Sequence, residues 1–146
     1  MKHSVYGKKL GRDKNQRTAL FRSLVRSLIL HESIQTTETK AKAVKGLIDN
    51  LVVKAKDSSE ASKRVVTSFL TQKEISEKLF KEIAPRFKQR SSGFTTSAKL
   101  GTRQGDGAMM VQIGWVGDKV SKEVAAKPTT KKVSDKTKTV KKVVKK

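Results

Sequence analysis

From Glu38 to Lys56 the sequence reads ETKAKAVKGLIDNLVVKAK, in which Val44, Leu47, Ile48, Leu51, Val52 and Ala55 recur at i, i+3, i+4 and i+7. That period is an α-helix with one apolar stripe, and the stripe is stable only when a second layer covers it. Thr37 or Thr39 is expected to cap the start of this helix. Gly46 inside it costs about 1 kcal/mol relative to alanine, which the stripe outweighs. The flanking sequence must therefore supply the covering layer.

It does so in two patterns. Leu20, Leu24 and Leu28, with Phe21 and Val25, predict a helix over roughly 16–31. Arg22 and Arg26 sit one turn apart on the far side of its stripe. SIQTT (33–37) is β-branched and reads as a strand. DSSE (57–60) and TQKE (71–74) have the form of capping boxes and predict two more helices. The first carries Val65, Val66, Phe69 and Leu70 inward. The second carries Ile75, Leu79, Phe80 and Ile83 inward and is expected to stop before Pro85. The period then changes to two. Phe94, Thr96, Ala98 and Leu100 alternate with polar neighbours, and Val111, Ile113 and Trp115 share a face. The glycine-rich TRQGDGA between these runs predicts an antiparallel hairpin. The expected fold class is α+β (mixed α/β), with about four helices packed on a small, mostly antiparallel sheet. The expected organisation is a basic arm over 1–14, one core domain over 15–118 and a lysine-rich disordered tail over 119–146.

The net charge of +21 on 146 residues is concentrated at the ends. Residues 1–26 hold eight Lys/Arg against Asp13 alone, and residues 120–146 hold ten lysines against Glu123 and Asp135. Cationic extensions around a more ordinary middle suit a polyanionic partner, of which nucleic acid is the commonest. Aromatic residues make up only 5% of the chain, so recognition by phosphate contact and shape is expected rather than base stacking. The basic start is not expected to be a secretory leader, because Arg22 and Arg26 interrupt the leucines. No run approaches the roughly 18 apolar residues of a membrane span.

Little in the sequence points to chemistry. There is no cysteine, and His3 and His31 lie too far apart for a short metal motif, so no metal and no cofactor are expected. TRQGDGA lacks the lysine context and following helix of a phosphate loop. Asp106 reads as a turn former, and no serine sits in a nucleophile-elbow pattern. The expectation is a binding protein, not an enzyme.

The residues also carry a resemblance. Ile34, Thr36-Thr37, Lys40-Ala41-Lys42, Asp49, Leu51 and Ala55-Lys56 closely resemble the signature of a bacterial ribosomal protein family, the large-subunit family numbered seventeen. MKH at the start, KKLGR (8–12), RTALFRSL (17–24), APRF (84–87), GFT (93–95), KLGTRQGD (99–106) and MMVQI (109–113) resemble its other landmarks in the same order. Departures are Lys2 for arginine, Val53 for threonine, Phe94 for tyrosine and Thr96 for arginine. The resemblance spans about residues 1–117 and does not reach the tail. It implies a mixed α/β domain packed on large-subunit ribosomal RNA, on the solvent side near the nascent-chain exit. It also implies neighbouring large-subunit proteins as partners, a cytoplasmic place in the ribosome, and no membrane or small-molecule substrate.

The expected docking follows from both readings. Arg22, Arg26, Lys40 and Lys42 contact RNA from the core, while Lys2, His3, Lys8, Lys9, Arg12 and Arg17 contact it from an arm that orders on binding. Arg86, Arg90, Lys99 and Arg103 form a second line. Released counterions supply much of the free energy. The rival reading, motivated by the tail KPTTKKVSDKTKTVKK, is a DNA-compacting protein. A weaker third is a regulator that binds a messenger RNA.

Overall fold

A computed structural model describes residues 7–57 and 59–117. Lys2, His3 and the expected tail over 119–146 lie outside the described residues.

Helix α1 spans Lys14–His31, and Glu32 ends it in the left-handed region at φ 63°, its N–H bonding to the Leu28 carbonyl. This single reversing residue sends the chain straight into β1 (Ser33–Thr37) and then into α2 (Glu38–Lys56). Both β1 and α2 match their predicted bounds. Thr37 stands at the N-cap of α2 but makes no side-chain cap bond; its hydroxyl lies 3.4 Å from that of Thr39. Glu38 instead favours the helix start by charge, and Lys54 and Lys56 complement the dipole at its end.

Helix α3 (Glu60–Leu70) starts later than the DSSE box requires, with Ser59 at the N-cap. Asp57 is outside the helix, where its carboxylate accepts from the Ser59 N–H at 3.2 Å and the Ser62 hydroxyl at 2.7 Å. Thr71 is not the N-cap of the next helix either. It adopts φ 60° as the C-cap of α3, and Gln72 caps α4 (Lys73–Lys78). A β-branched residue in the left-handed region is strained. The strain is held by Arg26, whose Nε and Nη2 donate to the Leu70 carbonyl at 3.0 and 2.7 Å and whose Nη2 also meets the Thr71 hydroxyl.

The chain does not stop before Pro85. Helix α4 widens into a π-helical turn (Leu79–Ile83) and continues as one α-turn, α5 (Ala84–Arg86), with Pro85 near its start. Proline clashes with an ordinary preceding turn. In the wider turn the Ala84 N–H reaches back five residues to the Leu79 carbonyl, and proline enters at a helix start, where it is tolerated.

β2 (Thr95–Thr102) and β3 (Met109–Trp115) form the expected hairpin, and the sheet order is β1-β3-β2 with both pairs antiparallel. Lys99 pairs with Val111 and Gly101 with Met110, so Leu100 is an extra residue in a bulge. Alternation is lost there, and Leu100 is exposed instead of inward. Gly101 takes φ 120°, a backbone geometry that side chains disfavour.

The core lies between the sheet and the helices. Val44, Ile48, Leu51 and Val52 of α2 join Val25, Leu28 and Ile29 of α1, Val66 and Leu70 of α3, and Ile75, Leu79 and Ile83 of the α4 run. Phe94, Val111, Ile113 and Trp115 form the sheet side, with Phe87 edge-on to Phe94 at 5.3 Å. Val65, expected inward, is 46% exposed, because the α3 face against α2 is narrowed to Val66, Leu70 and part of Phe69. Gly46 is exposed, and a Cβ added there would meet nothing within 4 Å. Gly46→Ala should therefore raise stability by about 0.5–1 kcal/mol, read as a higher urea midpoint.

Candidate nucleic-acid interface

The cationic residues fall into two groups, those spent on the protein's own structure and those presented to solvent. Arg26 belongs to the first. Its guanidinium closes the end of α3, so part of its hydrogen-bonding capacity is spent inside the fold. Arg22 is partly buried, with its guanidinium carbon 5.6 Å from the centre of the Phe69 ring and a buried Nε that meets no acceptor. Both arginines face the α3 side because α1 packs across the α3–α4 junction. Arg26→Met is expected to lower stability by about 1.5–3 kcal/mol, the usual worth of a charge-assisted hydrogen bond. The shift would appear in equilibrium urea unfolding.

Arg86 forms an ion pair with Glu32 at 3.0 Å, tying α5 to the end of α1. Arg90 donates to the Gly93 carbonyl at 3.3 Å, and its own carbonyl accepts from Lys56 Nζ at 2.5 Å. Arg103 holds Asp106 across the hairpin tip with two contacts, Nε to Oδ1 at 3.0 Å and Nη2 to Oδ2 at 2.5 Å. Asp106 also accepts from the Ala108 N–H at 3.3 Å. These contacts, the Arg103 bond first, lower the Asp106 pKa from 3.8 to about 2. A depressed carboxylate pKa adds stability above the ordinary value that is lost as pH falls through the folded one. The Asp106 carboxyl should thus titrate by NMR near pH 2, with the order of the tip declining only across the window from about 4 to 2.

The arm is not wholly extended. The Arg12 N–H bonds to the Lys9 carbonyl at 3.2 Å, and Arg12 Nη1 reaches the Leu10 carbonyl at 2.8 Å, closing a turn over Leu10 and Gly11. Arg17 Nη1 donates to the Arg12 carbonyl at 3.3 Å. Lys8 and Lys9 are exposed ahead of this turn.

What the fold assembles is a lysine cluster at the start of α2. Lys42 pairs with Glu38 at 2.7 Å. The Glu38 carboxyl is held below its ordinary value by that bond and by Lys42's charge, and further by the charges of Lys99 and Lys8. Lysines from arm, helix and β2 thus act on one carboxylate, Lys42 by direct contact and Lys99 and Lys8 by charge. Lys40 lies two residues from Lys42, partly buried. On the same side, Lys45 donates to the Ser97 hydroxyl of β2 at 2.9 Å. Sequence reading missed Lys45, Lys56 and Lys78, each of which bonds across the fold; Lys78 Nζ caps the end of α1 at the Leu30 carbonyl, 3.0 Å away. A lone lysine on a helix carries no sign of such a partner.

Among the described residues the shifted groups (Glu38, Asp57, Glu77, Lys81, Arg103 and Asp106) lie at the surface and are shifted chiefly by a hydrogen-bonded neighbour. That is the reverse of a desolvated catalytic group. Among the described residues no cluster of His, Asp or Glu is placed to hold a metal, and no helix is long and apolar enough to cross a membrane.

Residues 20–116, from α1 through β3, match the family model described as Ribosomal protein L17. The chain belongs to the L17 family of ribosomal proteins. A relative from Thermodesulfovibrio yellowstonii is 48% identical over 108 residues, covering 74% of this chain and 81% of its own length. One from Coprothermobacter proteolyticus is 44% identical over 115 residues, covering 79% and 98%. A third, from Pelobacter propionicus, is 40% identical over 110 residues, covering 75% and 87%. Each is named large ribosomal subunit protein bL17. The L17 match takes in Lys40, Lys42 and Lys99 and begins after Lys8, Lys9, Arg12 and Arg17.

Proposed function

We propose that this chain is a structural constituent of the large ribosomal subunit, where it binds and stabilises folded ribosomal RNA. Membership of the L17 family carries this reading. The protein works in the cytoplasmic ribosome as part of a ribonucleoprotein and has no catalytic task.

The docking face is built from Lys8, Lys9, Arg12, Lys40, Lys42 and Lys99. Each of these ammonium or guanidinium groups can replace counterions on a phosphate, and their release drives association. Such contacts set position and orientation without reading sequence. Arm, helix start and strand together favour one RNA surface by shape, as expected for A-form RNA with its inaccessible major groove. Lys2 and His3, which precede Lys8 in the sequence, are further contacts in this reading. Arg22, Arg26, Arg86, Arg90 and Arg103 mainly stabilise the scaffold, and their exposed N–H groups are secondary contacts. Adjacent large-subunit proteins are its other partners.

Gradient fractionation of gently lysed cells tests the reading. The protein should comigrate with the large subunit and be released by ribonuclease or high salt, but not by deoxyribonuclease. A chromosome-bound pool freed by deoxyribonuclease, with none on the large subunit, would instead establish the DNA-compacting alternative.

A further inference from the structure

Helix α2 is 19 residues long, so its two ends stand about 27 Å apart at the α-helical rise. The lysine cluster around Glu38 occupies one end. The other end has a separate cationic surface. There Pro85, Lys88, Arg90, Ser91 and Val116, with Phe87 and its neighbours, line an open groove of about 780 Å³ whose lining, among the described residues, contains Arg86, Lys88 and Arg90 and no acid. The groove is fastened to α2 by Lys56, which bonds to the Arg90 carbonyl and lies 5.5 Å from the centre of the Phe94 ring. It is fastened to the sheet by the Val116 N–H, which bonds to the Phe94 carbonyl at 2.9 Å.

We infer that the protein is a two-ended strut, with this groove holding the phosphates of a second RNA segment about one α2 length from the first. The inference rests on the ribosomal RNA docking proposed above and goes beyond it. Among the described residues four cations stand at this end, Lys56, Arg86, Lys88 and Arg90, and Glu32 is the acid paired there, with Arg86. Arg90 spends one N–H on a neutral carbonyl, which leaves its charge uncompensated. Lys88 is exposed and has no hydrogen bond or ion pair among the described residues. A concave surface with uncompensated guanidinium and ammonium groups is an anion site, and its open shape fits a backbone rather than a small molecule.

Chain direction adds a second argument. At the Glu38 end, Lys8 of the described arm adds its charge to those of Lys42 and Lys99. The lysine-rich continuation departs from Gly117, immediately after groove-lining Val116. The lysine cluster around Glu38 and the groove beside Lys56 thus stand at opposite ends of one rigid helix. Two segments held on a single stiff element are fixed in separation, which a single patch cannot do.

The chain has no cysteine, so one engineered thiol directs a tethered iron chelate to one place. Ser91→Cys reports from the groove, and Ser97→Cys reports from the same strand face as Lys99, two residues away. Full-length variants would be assembled into large subunits and the cleavage of large-subunit RNA mapped. Cleavage from both sites, at two non-overlapping stretches, is the expected result. Silence at Ser91 with cleavage from Ser97, or labelling of a neighbouring protein from Ser91 in place of RNA, would overturn the strut and leave the docking face standing. Cleavage of one common stretch would also overturn it. Silence at Ser97 in normally assembled subunits would remove the docking face, and the strut with it. Lys88→Gln, at a position with no structural bond, should also lower the salt slope for binding purified large-subunit RNA by about 0.7–0.9. An unchanged slope would count against the groove.

Discussion

Trp115→Ala is expected to lower the unfolding free energy by about 3–5 kcal/mol, the usual cost of emptying a large buried aromatic site. Trp115 is only 1% exposed and is among the largest fully buried side chains. It closes β3 opposite Thr95, and its ring lies 5.9 Å from Phe87, which in turn packs edge-on against Phe94. Alanine would strip the largest ring from this cluster, in which Phe87 touches both of the others, at the point where the sheet meets the α5 segment. Small domains have about 5–15 kcal/mol in total, so the variant would be marginal. Trp115→Phe separates packing from polarity. The indole Nε1 is buried with no hydrogen-bond partner, so its desolvation is uncompensated in the folded protein. Phenylalanine removes that N–H and keeps most of the ring, and should cost less than half as much as alanine. Far-UV circular dichroism in urea is the measurement, because Trp115 is the only tryptophan and either change removes the fluorescence. A cost below about 1 kcal/mol for Trp115→Ala would mean that the cluster is not a keystone of the fold.

Where the hydrophobic period was unbroken, sequence reading placed elements well. ETKAKAVKGLIDNLVVKAK became α2 residue for residue, because only one face of it can be buried, and the β-branched SIQTT became β1. The failures share a physical origin in interactions between distant segments. TQKE has the composition of a capping box, yet Arg26 from α1 recruits Thr71 into the left-handed region and shifts the start of α4. Leu100 follows the alternation of β2, but the register with β3 inserts a bulge that no single strand's sequence announces. Pro85 should end a helix, and does so only where the preceding turn is an ordinary α-turn. The same holds for the interface. The basic residues were visible as candidates, but Arg26 and Arg103 look no different in sequence from Lys42 and Lys99. Their roles separate only when Leu70, Asp106 and Glu38 are seen beside them.

The largest functional effect is expected from the double charge reversal Lys42→Glu with Lys99→Glu. These lysines lie 57 positions apart in sequence and both act on the Glu38 carboxylate, Lys42 by a direct ion pair and Lys99 by its charge, so they are the part of the docking face that exists only in the fold. Reversing Arg12 and Arg17 would be a less clean test, because both side chains bond to backbone carbonyls around the arm turn. Lys42 is paired with Glu38 on the exposed face of α2, and its reversal sets two acids at i, i+4, worth about 0.2–0.5 kcal/mol. Lys99 makes no hydrogen bond or ion pair among the described residues and stands exposed on the edge strand β2. Stability should therefore change by less than about 1 kcal/mol. Binding should change far more. At about 0.1 M salt, each phosphate contact contributes roughly a factor of ten through counterion release, so losing two costs on the order of a hundredfold before any repulsion. Cells or reconstitution mixtures supplied with equal wild-type and variant chains should yield large subunits carrying almost only wild type. Raising the salt should narrow the gap, since the wild-type advantage is itself electrostatic. Equal incorporation at low salt would show that the lysines around Glu38 face solvent in the subunit. A hundredfold defect that persisted unchanged at high salt would show that the variants had disturbed the fold rather than the charge.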